Sequence, residues 1–142
     1  MYKGVAELKT VPLFLVSHLE AEVAKYTSNC FYATKLSFFN EIYQVCQKLD
    51  ISYDAVKEMT IASGWVNPMH TDVPGPDGKL GWGGSCFPKD TSAFVSVAQS
   101  LGVEMKTLQG AIESNKQVRE LTLAEEKGLK PVNTCNSSNL MV

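Results

Sequence analysis

Apolar residues recur at helical spacing over one long stretch of the chain: Leu19, Val23, Cys30, Phe38, Ile42, Val45 and Leu49. Ser17-His18-Leu19-Glu20 leads into them and has the form of a capping box, a serine followed three residues later by a glutamate that can reach back to it. No glycine or proline interrupts the chain from Ser17 to Leu49. At a rise of about 1.5 Å per residue this predicts a helix of roughly 50 Å. Phe31, Tyr32, Leu36, Phe39 and Tyr43 put further apolar surface on its other faces. A helix apolar nearly all round has to be covered all round. One small domain can hardly do that alone, so the pattern predicts a homodimer packed through this helix.

A second helix is predicted over 53–62, begun by Ser52 and ended near Gly64. Residues 63–85 are rich in glycine and proline and have no period, so they read as a long loop of the kind that is either functional or disordered. Pro88 suits the first turn of a third helix running to about Leu101, with Gly102 closing it. A last helix is predicted over 105–127, ended by Gly128. Residues 1–16, with Pro12 inside the apolar patch from Val11 to Val16, read as a connector or the stub of an upstream domain. The polar stretch 129–142 reads as a disordered tail. No repeat and no convincing strand interrupts this. The expected fold is all-α, with one central helical domain over 17–128.

Composition narrows the function by exclusion. With 44% hydrophobic residues in 142, one domain can bury a core. A net charge of −2 gives no electrostatic case for nucleic acid or for an anionic membrane surface. The start, Met1 to Leu8, lacks the basic-then-apolar pattern of a secretory signal, and no apolar run approaches the roughly 20 residues that span a bilayer. A cytoplasmic protein with no membrane partner is expected. Cysteines 30, 46, 86 and 135 form no Cys-x-x-Cys pair and share no ligand spacing with His18 and His70, so reduced thiols and no metal are expected.

Two groups of residues can carry chemistry. Cys86 lies between a glycine-rich loop and a predicted helix start, where the helix terminus and nearby Lys89 favour a thiolate. Gly81, Gly83 and Gly84 let a ligand approach the backbone, and Asp90, one turn after Cys86, falls on the same helical face. A lone cysteine is more often buried and inert, and only the loop-to-helix setting argues otherwise here. Lys25 and Asn29 stand one turn apart on the long helix and can hold a water or hydroxyl between an ammonium and an amide. On periodicity alone that pair is an ordinary solvated stripe.

The string Gly81-Trp82-Gly83-Gly84-Ser85-Cys86-Phe87-Pro88-Lys89-Asp90, preceded by Val73-Pro74-Gly75-Pro76-Asp77-Gly78-Lys79-Leu80, resembles the catalytic-cysteine loop of the UDP-glucose and GDP-mannose dehydrogenases. Residues 20–47 resemble the central helix of the same family, and the likeness extends over roughly 15–120. The lead-in from Val73 to Gly78 is most similar to that of UDP-glucose 6-dehydrogenases. The resemblance implies a four-electron oxidation of a nucleotide sugar at C6 with NAD as cofactor. Cys86 would attack the intermediate aldehyde, Lys25 would stabilise the oxyanion, and Asn29 and Asp90 would hold the lysine and a catalytic water. Asp77, Gly78, Lys79, Leu80, Gly81, Trp82 and Gly83, with Lys25 and Asn29, would line the substrate, and Cys86, Phe87, Pro88 and Lys89 would abut the cofactor.

The sequence departs from the family's pattern in several places. It has no Gly-x-Gly-x-x-Gly after a strand, so no NAD-binding domain of the usual kind, and no second α/β domain. Trp65 stands where the family has an arginine that reaches across the dimer, with His70 nearby. The expectation is a central module, inactive without the missing domains. Its alternatives are a non-catalytic dimerisation module that keeps the motif, a segment of a GDP-mannose-type enzyme, and, more distantly, a cysteine hydrolase. The last is disfavoured because no histidine stands at a suggestive spacing from Cys86.

Overall fold

A computed structural model describes the backbone of residues 12–126 and the side chains of residues 12–121. The connector up to Val11 and the tail 129–142 lie outside the described residues. Four helices follow in order: α1 His18–Leu49, α2 Tyr53–Ala62, α3 Cys86–Ser100 and α4 Lys106–Glu126. There is no strand among the described residues, and the fold is all-α as expected. None of these helices is long and apolar enough to cross a membrane.

The capping box forms as read. Glu20 N donates to Ser17 Oγ at 3.2 Å, and Ser17 N donates to Glu20 Oε2 at 2.7 Å. At the other end Asp50 takes a left-handed conformation, φ 54°, and its N–H returns to Cys46 O and Gln47 O, closing α1. The 32 residues of α1 give an axle about 48 Å long. α3 and α4 pack along it and α2 meets it less extensively.

The core lies on one side of that axle. Phe39, Cys46, Tyr53 and Val73 form one cluster, and Ala33, Leu36 and Trp82 form another, with Phe87 and Ile112 packed against it. Val73 and Trp82 belong to the long loop, so the loop is part of the core. Burying a large apolar side chain of this kind stabilises the fold by about 1.5–3 kcal/mol. The loop backbone has no strand partner, and side chains from the helices satisfy it instead. Asn40 Oδ1 accepts from Gly81 N at 2.7 Å, Asn115 Oδ1 accepts from Trp82 N at 2.6 Å, and Asn115 Nδ2 donates to Trp82 O at 3.0 Å. The indole Nε1 of Trp82 donates to Ser37 Oγ at 2.9 Å, and that hydroxyl donates to Ala111 O at 2.7 Å, linking α1, loop and α4. The Val73–Pro74 peptide is cis.

Gly81 is the tightest point of this arrangement. Its φ is +73°, and a Cβ there would collide with the Asn115 side chain and lie 2.9 Å from Val118 Cγ2. Gly81→Ala therefore adds backbone strain to overpacking, and its denaturant midpoint is expected to report a loss of about 2–4 kcal/mol. A loss under about 0.5 kcal/mol, within the range of ordinary surface changes, would contradict the tight seat.

The opposite side of α1 is bare. Phe31 and Phe38 are 62% and 54% exposed, and Val45 continues the same seven-residue spacing, also exposed. The periodic residues Leu19, Val23, Phe38, Val45 and Leu49 thus face outward. The protein's own core is made instead by Cys30, Ala33, Leu36, Phe39 and Cys46.

Candidate active site

Cys86 is the first residue of α3 and is exposed. The turn before it needs Gly84, whose φ is +76°, with open space where a Cβ would stand. Ser85 caps α3 without a side-chain hydrogen bond, and its hydroxyl lies 3.8 Å from Cys86 Sγ. The first N–H groups of α3 are therefore free of a capping side chain at the end where the helix dipole favours negative charge.

One turn into α3, Asp90 gathers three other groups. Asn29 Nδ2 donates to its Oδ2 at 2.6 Å, Lys25 Nζ stands 3.1 Å from the same oxygen, and Lys89 Nζ stands 2.9 Å from Oδ1. The Asp90 side chain is 1% exposed while the two lysines are 54% and 66% exposed, so the carboxylate is roofed by its own partners. Oδ1 is paired in charge but receives no directed hydrogen bond. The ammonium of Lys89 beside it, then the Asn29 amide, hold the Asp90 carboxyl down at about 2. Lys25, Asn29 and Asp90 are thus brought together from two helices. Lys89, read from sequence as the cation beside the thiol, is committed to Asp90.

A carboxyl lowered from 3.8 to about 2 adds stability above pH ~4, which is lost as the pH falls through about 2. Asp90→Asn is expected to lower the thermal midpoint at neutral pH and to flatten the acid limb between about pH 4 and 2. Parallel melting curves across that window for both proteins would show that the cluster does not stabilise the fold.

The other two described cysteines are set apart from this surface. Cys30 is 6% and Cys46 2% exposed, and burial first, then the Asp90 charge, raises the Cys30 thiol above its ordinary value. No group of three His, Cys, Asp or Glu suited to a metal occurs among the described residues.

On the other side of the first turn of α3 a cavity of about 380 Å³ opens between the loop and α4. Leu36, Trp82 and Phe87 give it apolar walls, and Asp72, Asp77 and Arg119 stand at its polar edge. Of the loop residues predicted to line a substrate, Asp77, Gly81, Trp82 and Gly83 do line this cavity. Gly78, Lys79 and Leu80 lie off it, Leu80 packing against the cluster around Phe39. Cys86 stands between two lining residues, Gly84 and Phe87, and Pro88 faces a separate depression toward α4.

His70 also faces the cavity, at φ +62°, with its ring 4.7 Å from that of Tyr32 and 5.9 Å from that of Phe87. The loop leading to it is clamped by Lys35 Nζ, which donates to Met69 O at 2.6 Å and also to Asn67 O. Trp65 projects into solvent, 94% exposed. The residue that sequence reading missed is Arg119, whose Nη1 donates to Asp77 Oδ2 at 2.9 Å and whose Nε donates to Trp82 O at 3.3 Å. The only trace of it in the sequence is its place one turn after Asn115, a spacing that reads as a solvated helix face.

The described residues thus form an all-helical unit with an exposed cysteine at a helix start, a Lys–Asn–Asp cluster one turn on and a glycine-rich cavity. Residues 19–117 match the model of the UDP-glucose/GDP-mannose dehydrogenase family, central domain. The chain is 36% identical over 105 residues to UDP-glucose 6-dehydrogenase YwqF of Bacillus subtilis, covering 74% of this chain and 23% of that protein. It is 36% identical over 110 residues to UDP-glucose 6-dehydrogenase AglM of Haloferax volcanii, covering 76% of this chain and 24% of that one. A solved UDP-glucose dehydrogenase from Pyrobaculum islandicum superposes with a TM-score of 0.66 at 35% identity, covering 77% of this chain and 25% of that one. The chain belongs to the UDP-glucose/GDP-mannose dehydrogenase family. It spans about a quarter of the length of the relatives it matches.

Proposed function

We propose that the chain is the central, cysteine-bearing part of a cytoplasmic NAD-dependent dehydrogenase that oxidises UDP-glucose at C6 to UDP-glucuronate, and that it works as a homodimer packed through α1. The observation that carries this reading is the gathering of Lys25 and Asn29 on Asp90, one turn beyond an exposed Cys86 and beside the loop cavity. The bare seam of Phe31, Phe38 and Val45 supports the dimer, because a second copy of α1 would cover it.

The chain's own residues suit one end of NAD and not the rest of it. Of Cys86, Phe87, Pro88 and Lys89, the first two, with the open turn at Gly84, can seat its reactive ring, while Pro88 faces the depression toward α4 and Lys89 pairs with Asp90. Among the described residues there is no parallel sheet, and the sequence has no Gly-x-Gly-x-x-Gly turn, to hold its pyrophosphate. When bound, NAD takes up the hydrides released in the oxidation.

The work left to this chain is to hold carbon and charge. The Cys86 thiolate adds to the C6 aldehyde, a C–S bond forms, and the carbonyl π pair moves onto oxygen. The Lys25 ammonium stabilises that oxygen, and Asp90 with Asn29 fixes the lysine so that no reorganisation is needed as the charge develops. After oxidation to the thioester, water attacks the carbonyl carbon and the C–S bond breaks, returning the thiol and releasing the carboxylic acid. Asp77, Gly81, Trp82 and Gly83 of the loop hold the nucleotide sugar in the cavity.

Orientation of both ligands supplies much of the rate of such a reaction. The 142-residue chain by itself, given NAD and UDP-glucose, is therefore expected to produce no measurable NADH while sedimenting as a folded dimer at micromolar concentration. NADH formation that Cys86→Ala abolishes would show that the chain needs no further domain. A stable folded monomer would remove the dimer from the account.

A further inference from the structure

Arg119 holds the long loop at two places. Its Nη1 pairs with Asp77 at 2.9 Å and its Nε bonds Trp82 O at 3.3 Å. Asp77 belongs to the loop tip, a turn closed by Gly78 N to Gly75 O and Gly75 N to Lys79 O, both 2.9 Å, and by Lys79 N donating to Asp77 Oδ1 at 3.1 Å. Trp82 begins the short run that ends at Cys86. A Cβ on Gly83 would lie 2.9 Å from a guanidinium nitrogen of Arg119, so the arginine rests directly against that backbone. Arg119 is 21% exposed and Asp77 50%, and the guanidinium holds the Asp77 carboxyl below the usual carboxylate range.

We propose that Arg119 is a positioning residue for the Cys86 turn, and that its ion pair with Asp77 couples the loop tip to that turn, so that freeing the tip lowers the reactivity of the thiol. The proposal rests on Cys86 being the nucleophile of the proposed function. The physical link is short. Arg119 shares Trp82 O with Asn115 Nδ2, which donates to it at 3.0 Å, and rests against the backbone at Gly83; from there Gly84 and Ser85 set where the first N–H groups of α3 point relative to Cys86 Sγ. A tip that swings free takes Asp77 from the guanidinium, and the guanidinium then has a choice of partners other than Trp82 O.

The test uses the full 142-residue chain and three variants, with folding checked by denaturant titration. Asp77→Asn keeps an acceptor for Lys79 N and removes only the charge. Arg119→Gln removes both holds, and Arg119→Lys keeps the charge. Amide exchange at Gly78 and Lys79 is expected to run about threefold to tenfold faster in Asp77→Asn and Arg119→Gln, with Arg119→Lys restoring most of the protection.

Alkylation of Cys86 by neutral iodoacetamide, followed from pH 6 to 9, is expected to slow at least about twofold in both Asp77→Asn and Arg119→Gln. The direction is what decides. A charge effect acting through space would favour the thiolate in Asp77→Asn, which leaves a cation unpaired, and disfavour it in Arg119→Gln. Opposite changes in the two variants, or unchanged exchange at the tip, would overturn the proposal. Should Arg119→Gln not fold, Asp77→Asn decides alone, since slowing there has the sign that the charge effect lacks. Wild-type Cys86 labelling no faster than Cys30 and Cys46 would count against the nucleophile itself, and the exchange data would still decide the latch.

Discussion

Iodoacetamide is expected to modify Cys86 at least about a hundredfold faster than Cys30 or Cys46 in the folded chain at neutral pH. The three thiols differ in the two things that control the rate. Cys86 is exposed at the start of α3, where the reagent reaches it without any opening of the fold. Cys46 belongs to the cluster with Phe39, Tyr53 and Val73, and can react only when that cluster opens. Cys30 is equally covered, and burial together with the Asp90 charge keeps its proton on. Mass-spectrometric labelling over time separates the three. In about 6 M guanidinium their rates should converge, because the difference lies in the fold and not in the sequence around each cysteine. Equal rates in the native protein would mean that the site is not preorganised.

Most helix ends could be read from local chemistry. The Ser17–Glu20 box starts α1, Ser52 starts α2, and Gly102 follows α3, each by a bond that forms within a few residues. Which face of α1 meets the core was not legible. The most regular apolar positions, Leu19, Val23, Phe38, Val45 and Leu49, face outward, and much of the buried face is small or polar: Ala33, Ser37 and Asn40. Ser37 and Asn40 are buried because they satisfy the indole of Trp82 and the backbone of Gly81. Those partners lie more than forty residues away, and no periodicity announces them.

The site divides in the same way. Cys86, the glycines and Asp90 lie in one continuous string, and Lys25 with Asn29 emerged only by resemblance, since a lysine and an amide one turn apart look like solvated surface. The structure supplies the reason for the pair in the carboxylate of Asp90, which neither residue reveals by itself. Arg119 was not legible at all, because its partners, Asp77 and Trp82 O, belong to a loop whose path the helices decide.

Grafting tests the proposed chemistry within a relative of which this chain spans 23%. Residues 19–117 of this chain replace the corresponding segment of the Bacillus subtilis UDP-glucose 6-dehydrogenase YwqF, to which the chain is 36% identical over 105 residues. In a chimera shown to be folded and dimeric, Lys25→Ala is expected to lower kcat by about a hundredfold to a thousandfold, the size of losing one oxyanion partner. Cys86→Ala is expected to lower it further, by at least about a thousandfold, because the aldehyde then has no covalent anchor on its way to the acid. The most direct measurement is the stoichiometry of NADH formed per UDP-glucose consumed. Two NADH and one UDP-glucuronate are expected for each sugar in the chimera, and no net acid formation once Cys86 is alanine. Two NADH per sugar with Cys86→Ala in place, at an undiminished rate, would contradict this expectation.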